Sequence, residues 1–167
     1  MRLEEAKEKI EKQGESIYHA LKKEGIEQFF QEETNAIKKH LHLEQSDIDE
    51  LVQESIWYCE HKDWKQAQEA LGCLLFYEPL NTSHYLRLGA VLLQIGEFQK
   101  AADSLAFAAF LSQEDPTPYL YLGECFLELN DKEKAKDAFT ECIALSGTDP
   151  HYKELVDLAR DGIIAVR

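Results

Sequence analysis

Apolar positions between residues 85 and 105, YLRLGAVLLQIGEFQKAADSL, recur at three- and four-residue intervals, the spacing that lines one face of a helix. Gly96 interrupts the run and the aromatic Phe98 follows it, so the stretch predicts two helices meeting at a turn. The arrangement repeats. Ala67, Ala101 and Ala135 lie 34 residues apart, and the same step links the small residues Ser55, Gly89 and Gly123. It also links Tyr58, Leu92 and Phe126, then Leu71, Leu105 and Phe139, all large and apolar. Four registers on one period predict a repeated helical hairpin in which small residues let two backbones approach and large ones fill the gaps beside them.

A period of 34 residues with this small/large code is the signature of the tetratricopeptide repeat (TPR). The predicted fold is all-α, with three tandem hairpins at about 48–81, 82–115 and 116–149 forming a short right-handed solenoid. The repeats are imperfect. Glu54-Ser55 stands where the later ones have Leu88-Gly89 and Leu122-Gly123, and Lys132 takes the corner position of Trp64 and Phe98. Asp149-Pro150 echoes Asp115-Pro116 and predicts a last helix over 150–166, with Leu155, Leu158, Ala159, Ile163 and Val166 as its apolar stripe. A short solenoid needs such a helix to cover its last apolar face.

Residues 1–45 form a separate segment ahead of the repeat unit 46–167. Residues 1–16 are nearly all polar and are expected to fray. Residues 26–43 predict an amphipathic helix whose apolar face is Ile26, Phe29, Phe30, Ile37 and Leu41. Its adjacent phenylalanines need a partner surface, either the first repeat or a second copy of the chain, and homodimerisation is the expectation. Ser46-Asp47-Ile48-Asp49 then predicts a capping box at the start of the first repeat helix.

Charge narrows the function. With 32 Asp and Glu against 18 Lys and Arg, the chain carries a formal net charge of −14. Nucleic acid and anionic membrane surfaces are therefore not expected partners, because both are bound through clustered Lys and Arg. No stretch approaches the about 20 apolar residues of a membrane helix. The longest, LAFAAFL from Leu105 to Leu111, predicts a buried helix face. The N-terminus shows no secretory signal pattern, and Cys59, Cys73, Cys125 and Cys142 have no CxxC spacing, so the cysteines are expected to be small buried hydrophobes in a reducing cytoplasm.

In each hairpin, positions 2, 5, 9 and 12 of the first helix share one face. They are Asp49, Val52, Ile56 and Cys59, then Ser83, Leu86, Ala90 and Leu93, then Thr117, Leu120, Glu124 and Leu127. Val52, Ile56, Cys59, Leu86, Ala90, Leu93, Leu120, Glu124 and Leu127 thus predict a mostly apolar peptide-binding groove on the concave wall. Because the other registers already fill the core, this second apolar face points to a binding surface.

The order of elements, with QAQEALGCLLFYEPLN in the first repeat, YLRLGAVLLQIGEFQKAADSLAFAAFLSQEDP in the second, YLGECFLEL in the third and HYKEL in the last helix, resembles the class II chaperones of bacterial type III secretion. The resemblance spans about residues 40–167. It implies a non-catalytic chaperone in the cytoplasm of a bacterium. It further implies that the groove holds an extended N-terminal segment of hydrophobic, membrane-inserting translocator proteins before their export, without a cofactor.

Two rival readings fit less well. An adaptor that clamps a terminal carboxylate needs Lys, Arg and Asn on the groove face, where this chain has Val52, Ile56, Leu86, Ala90, Leu120 and Glu124. A general TPR scaffold remains the alternative to the chaperone. For an enzyme, no histidine sits with a Cys or carboxylate at a triad or metal-ligand spacing, and no metal site is expected. His61, His84 and His151 read as solvated turn residues.

Overall fold

In the computed structural model, which describes residues 44–166 with Asn35 and Lys39, seven α-helices follow one another with no strand among the described residues. They are α1 Gln45–Glu60, α2 Trp64–Tyr77, α3 Thr82–Gln94, α4 Phe98–Leu111, α5 Thr117–Glu128, α6 Lys132–Ser146 and α7 Lys153–Ala165, the last preceded by a 3-10 turn at Pro150–Tyr152. The chain divides after Glu44, and these helices belong to the second unit. The face Ile26, Phe29, Phe30, Ile37 and Leu41 lies outside the described residues.

Local chemistry sets the helix starts. Asp63 and Asp131 cap α2 and α6, their carboxylates accepting the backbone N–H of Gln66 at 3.4 Å and of Lys134 at 3.2 Å. Asn81 caps α3 through the N–H of Ser83, and Asp115 and Asp149 each accept the N–H two residues on, at 2.9 Å. The first helix departs from expectation. It begins at Gln45, ahead of the predicted capping box, and Gln45 Nε2 donates to Asp49 Oδ1 at 3.1 Å.

The three corners are built alike. Lys62, Gly96 and Asn130 occupy the left-handed region at φ 59, 80 and 58°. After each, the next N–H reaches back five residues, Asp63 to Tyr58, Glu97 to Leu92 and Asp131 to Phe126, at 2.8–2.9 Å. This pairing satisfies the last carbonyls of the first helix and reverses the chain. Only Gly96 meets the dihedral without strain. Gly96→Ala is expected to lower stability by about 1 kcal/mol, since about 1–2 kcal/mol of left-handed strain is offset by about 0.4–1 kcal/mol from a stiffer unfolded chain. Urea unfolding followed by circular dichroism reads the change.

Each helix packs on the next, and α7 lies on both α5 and α6. Ala67, Ala101 and Ala135 are fully buried. A methyl group on Gly89 would overlap Leu105, and one on Gly123 would overlap the Phe139 ring, so these glycines set how closely the paired helices meet. In the first hairpin Ser55 holds the glycine position, buried, with its hydroxyl donating to the Val52 carbonyl at 2.7 Å.

Several expectations are corrected. His84 is not solvated: it is 2% exposed, with Nε2 2.8 Å from Glu78 Oε2, which also accepts Asn81 Nδ2. That cluster fixes the link between α2 and α3. Leu158 is 50% exposed, so the stripe of α7 that packs is Leu155, Ala159, Ile163 and Val166. In LAFAAFL only Leu105, Ala108 and Ala109 are buried, while Phe107 and Phe110 stand partly out. Among the cysteines Cys125 and Cys142 are buried, but Cys73 is exposed and Cys59 half-buried, and all four are free.

Candidate functional site

The first helix of each hairpin contributes to one pocket of about 430 Å³. Ile56, Cys59 and Glu60 come from α1, Arg87, Ala90, Val91, Leu93 and Gln94 from α3, and Tyr121 from α5, with Trp64 entering from the start of α2. Its volume falls in the range of sites that bury a small ligand or a run of side chains. The lining is mainly aliphatic and aromatic, with polar groups from Glu60, Arg87 and Gln94.

Of the predicted groove residues, Ile56, Cys59, Ala90 and Leu93 meet in this pocket. Val52 and Leu86 are half-buried and pack against the core clusters of the first and second hairpins. Leu127 packs beside Phe139, and Glu124 is half-buried next to Tyr121 without lining the pocket. Leu120 is a correction. At 4% exposure it is core, enclosed with Ala135, Phe139, Cys142 and Ala159, because the last helix covers that side of α5.

The pocket face is thus rotated about the helix axis from the predicted one. Position 5 is spent on packing between neighbours, and positions 6 (Arg87, Tyr121) and 13 (Glu60, Gln94) turn inward beside positions 9 and 12. The spacing 6, 9, 13 is as good a helical stripe as 2, 5, 9, 12, and only its mixed polarity hid it.

Burial shapes the electrostatics. The Glu124 carboxyl is pushed above its ordinary value by desolvation, and the Tyr121 hydroxyl is raised by desolvation and then by the Glu124 charge. Desolvation also raises the Cys59 thiol, partly opposed by the nearby Arg87 guanidinium. Cys125, buried and beside Glu124, is pushed up to about 12, and Cys142 to about 11 by burial. Such thiols hold their protons at neutral pH and supply no thiolate nucleophile. Among the described residues no group of three His, Cys, Asp or Glu could hold a metal ion, and no helix is long and apolar enough to cross a membrane.

A second cleft, of about 560 Å³, lies along α3 on the side carrying Leu88 and Leu92 and is bounded by Gly72, Tyr85, Ser104 and Phe107. Tyr85 and Phe107 meet at 4.6 Å between ring centroids, and Phe107 and Phe110 at 5.9 Å.

Among solved structures, PcrH in complex with the chaperone binding region of PopD superimposes with a TM-score of 0.71 at 23% identity, over 74% of this chain and 93% of that one. PcrH is from Pseudomonas aeruginosa. The type III secretion translocator chaperone SycD of Yersinia enterocolitica gives 0.71 at 18% identity, over 77% and 96% of the two chains. The fold is that of the type III secretion translocator chaperones. A T3SS complex from Aeromonas hydrophila extends the match to 85% of this chain and 94% of that one, with a TM-score of 0.75 at 22% identity. A tetratricopeptide repeat family model matches residues 119–146, which span most of α5 and all of α6. No curated protein matches at the level of sequence.

Proposed function

We propose that this protein is a non-catalytic chaperone that holds an extended segment of a hydrophobic secreted translocator in the face lined by Ile56, Cys59, Ala90, Leu93 and Tyr121. The observation that carries this reading is the largely apolar pocket drawn from three successive first helices, in a fold shared with chaperones solved with translocator segments. PcrH is solved with regions of PopD and of PopB, and SycD with a peptide of YopD. Cytoplasmic placement belongs to the same reading. So does homodimerisation, supported by the alternative dimer described for SycD.

The energetics suit temporary holding. One Val- or Leu-sized side chain entering a pocket contributes about 1.5–3 kcal/mol, whereas association costs about 4–15 kcal/mol. One anchor is too weak to retain a client, and several along an extended chain retain it reversibly. A carboxylate-clamping adaptor fits less well, since the lining offers a single guanidinium and also carries Glu60.

Tryptophan fluorescence tests the proposal, since Trp64 lines the pocket while Trp57 is 52% exposed and stacks on His61 at 3.9 Å. In a Trp57→Phe variant, Trp64 alone reports. Synthetic N-terminal segments of membrane-inserting secreted proteins from the same organism are expected to give a saturable change for at least one segment. A folded protein that responds to none of them overturns the assignment.

A further inference from the structure

The charge pattern of the pocket points to a feature of its client. Arg87 is the one cation among the described residues lining it, and is half-buried. It makes no ion pair or side-chain hydrogen bond with any described residue, in a chain with 32 acidic and 18 basic residues. Among the described residues three exposed bases find acids, Lys100 with Glu97 at 3.1 Å, Lys134 with Asp131 at 2.7 Å and Arg160 with Asp157 at 3.7 Å, and unpaired ones such as Lys65 and Lys136 stay exposed to water, whereas Arg87 is half-buried. A guanidinium that has lost part of its water and gained no acceptor is left with unmet hydrogen-bonding capacity. Its planar fork matches a carboxylate.

We infer that Arg87 makes the pocket select a client segment carrying an Asp or Glu side chain immediately beside the apolar residue it buries. The inference rests on the groove reading above and adds a charge rule to it. The rest of the lining sharpens the rule. Glu60 lines the same pocket and Glu124 lies beside Tyr121 at its α5 side, so a client carboxylate placed near either meets a like charge. With the whole chain at −14, an acidic residue is tolerated where Arg87 faces it and repelled elsewhere. The bound segment is therefore expected to combine apolar anchors with one acidic residue at a fixed place, not an overall negative charge. An internal side chain is the source we commit to, because an extended segment crossing three helices passes Arg87 along its length.

A displayed library of random dodecapeptides, fused to its carrier through the C-terminal end so that no free terminal carboxylate is present, tests this directly. Selection on the wild-type full chain is expected to enrich Asp or Glu next to an apolar residue. Selection on Arg87→Glu is expected to replace that acid with Lys or Arg, and Arg87→Gln to lose the preference without inverting it. Resynthesised wild-type winners are expected to bind Arg87→Glu about 10–100-fold more weakly, and the difference should shrink at high salt. Circular dichroism establishes that both variants fold. Identical enrichment on wild type and Arg87→Glu overturns the charge rule while leaving the groove intact. An acid preference that arises only when the library is re-fused with free C-terminal ends overturns the side-chain source in favour of a terminal carboxylate. Failure to enrich any peptide on wild type, or enrichment unaffected by Leu93→Arg, overturns the groove reading itself.

Discussion

Phe139→Ala is expected to destabilise the repeat unit by about 3–5 kcal/mol, the cost of emptying a well-packed aromatic site. Phe139 is 1% exposed and central to three helices. It rises from α6 against Gly123 of α5, and a methyl group on Gly162 of α7 would come within 2.5 Å of the same ring. Leu120, Ala135, Cys142 and Ala159 enclose it. Since small domains are stable by about 5–15 kcal/mol in all, the loss is a large fraction of what holds α7 in place. Gly123→Ala in the native background should cost about 1–3 kcal/mol through overlap with the ring. In the Phe139→Ala background the same change fills part of the vacancy, and its cost should vanish or reverse. Urea unfolding of the four proteins gives the coupling directly. If Gly123→Ala costs the same with and without the ring, the glycine is there for another reason.

That contact was half legible in the sequence. The 34-residue register pairs Gly123 with Phe139 as it pairs Gly89 with Leu105, and the structure brings both pairs together. A period of this kind reports a constraint every repeat shares, namely how closely two backbones approach, so one sequence suffices to see it. Gly162 lies outside the period because it belongs to the last helix, and its contact with Phe139 is a tertiary fact with no register to betray it. The same limit explains the pocket. Positions 5 and 6 are neighbours on a helix, and which of them faces the next repeat depends on how the hairpins rotate against one another. Leu120 looked like groove and is core, while Arg87 and Tyr121 went unassigned because a charge and a phenol broke the apolar stripe. His84 was misjudged for a related reason: polarity suggested solvent, but Glu78, six residues earlier, supplies the partner that permits burial.

Leu93→Arg is expected to abolish client binding while the helices remain. Leu93 packs against the second hairpin's core and also lines the pocket, so its outer part is what a client would touch. An arginine there can carry its charged end toward solvent along the groove, which spares the fold most of the cost of burying a charge. The client fares worse. It loses an anchor worth about 1.5–3 kcal/mol, roughly 10–150-fold in affinity, and must desolvate a second guanidinium on the helix that already carries Arg87. Fluorescence titration through Trp64 should then show no saturation at concentrations that saturate the wild type, with an unchanged helical spectrum. Phe107→Asp, in the separate cleft beside Tyr85, supplies the opposite arm and is expected to leave the titration as it was. Were Phe107→Asp to lose the client and Leu93→Arg to keep it, the client would belong to the aromatic cleft, and the apolar lining shared by α1, α3 and α5 would serve only to join the repeats.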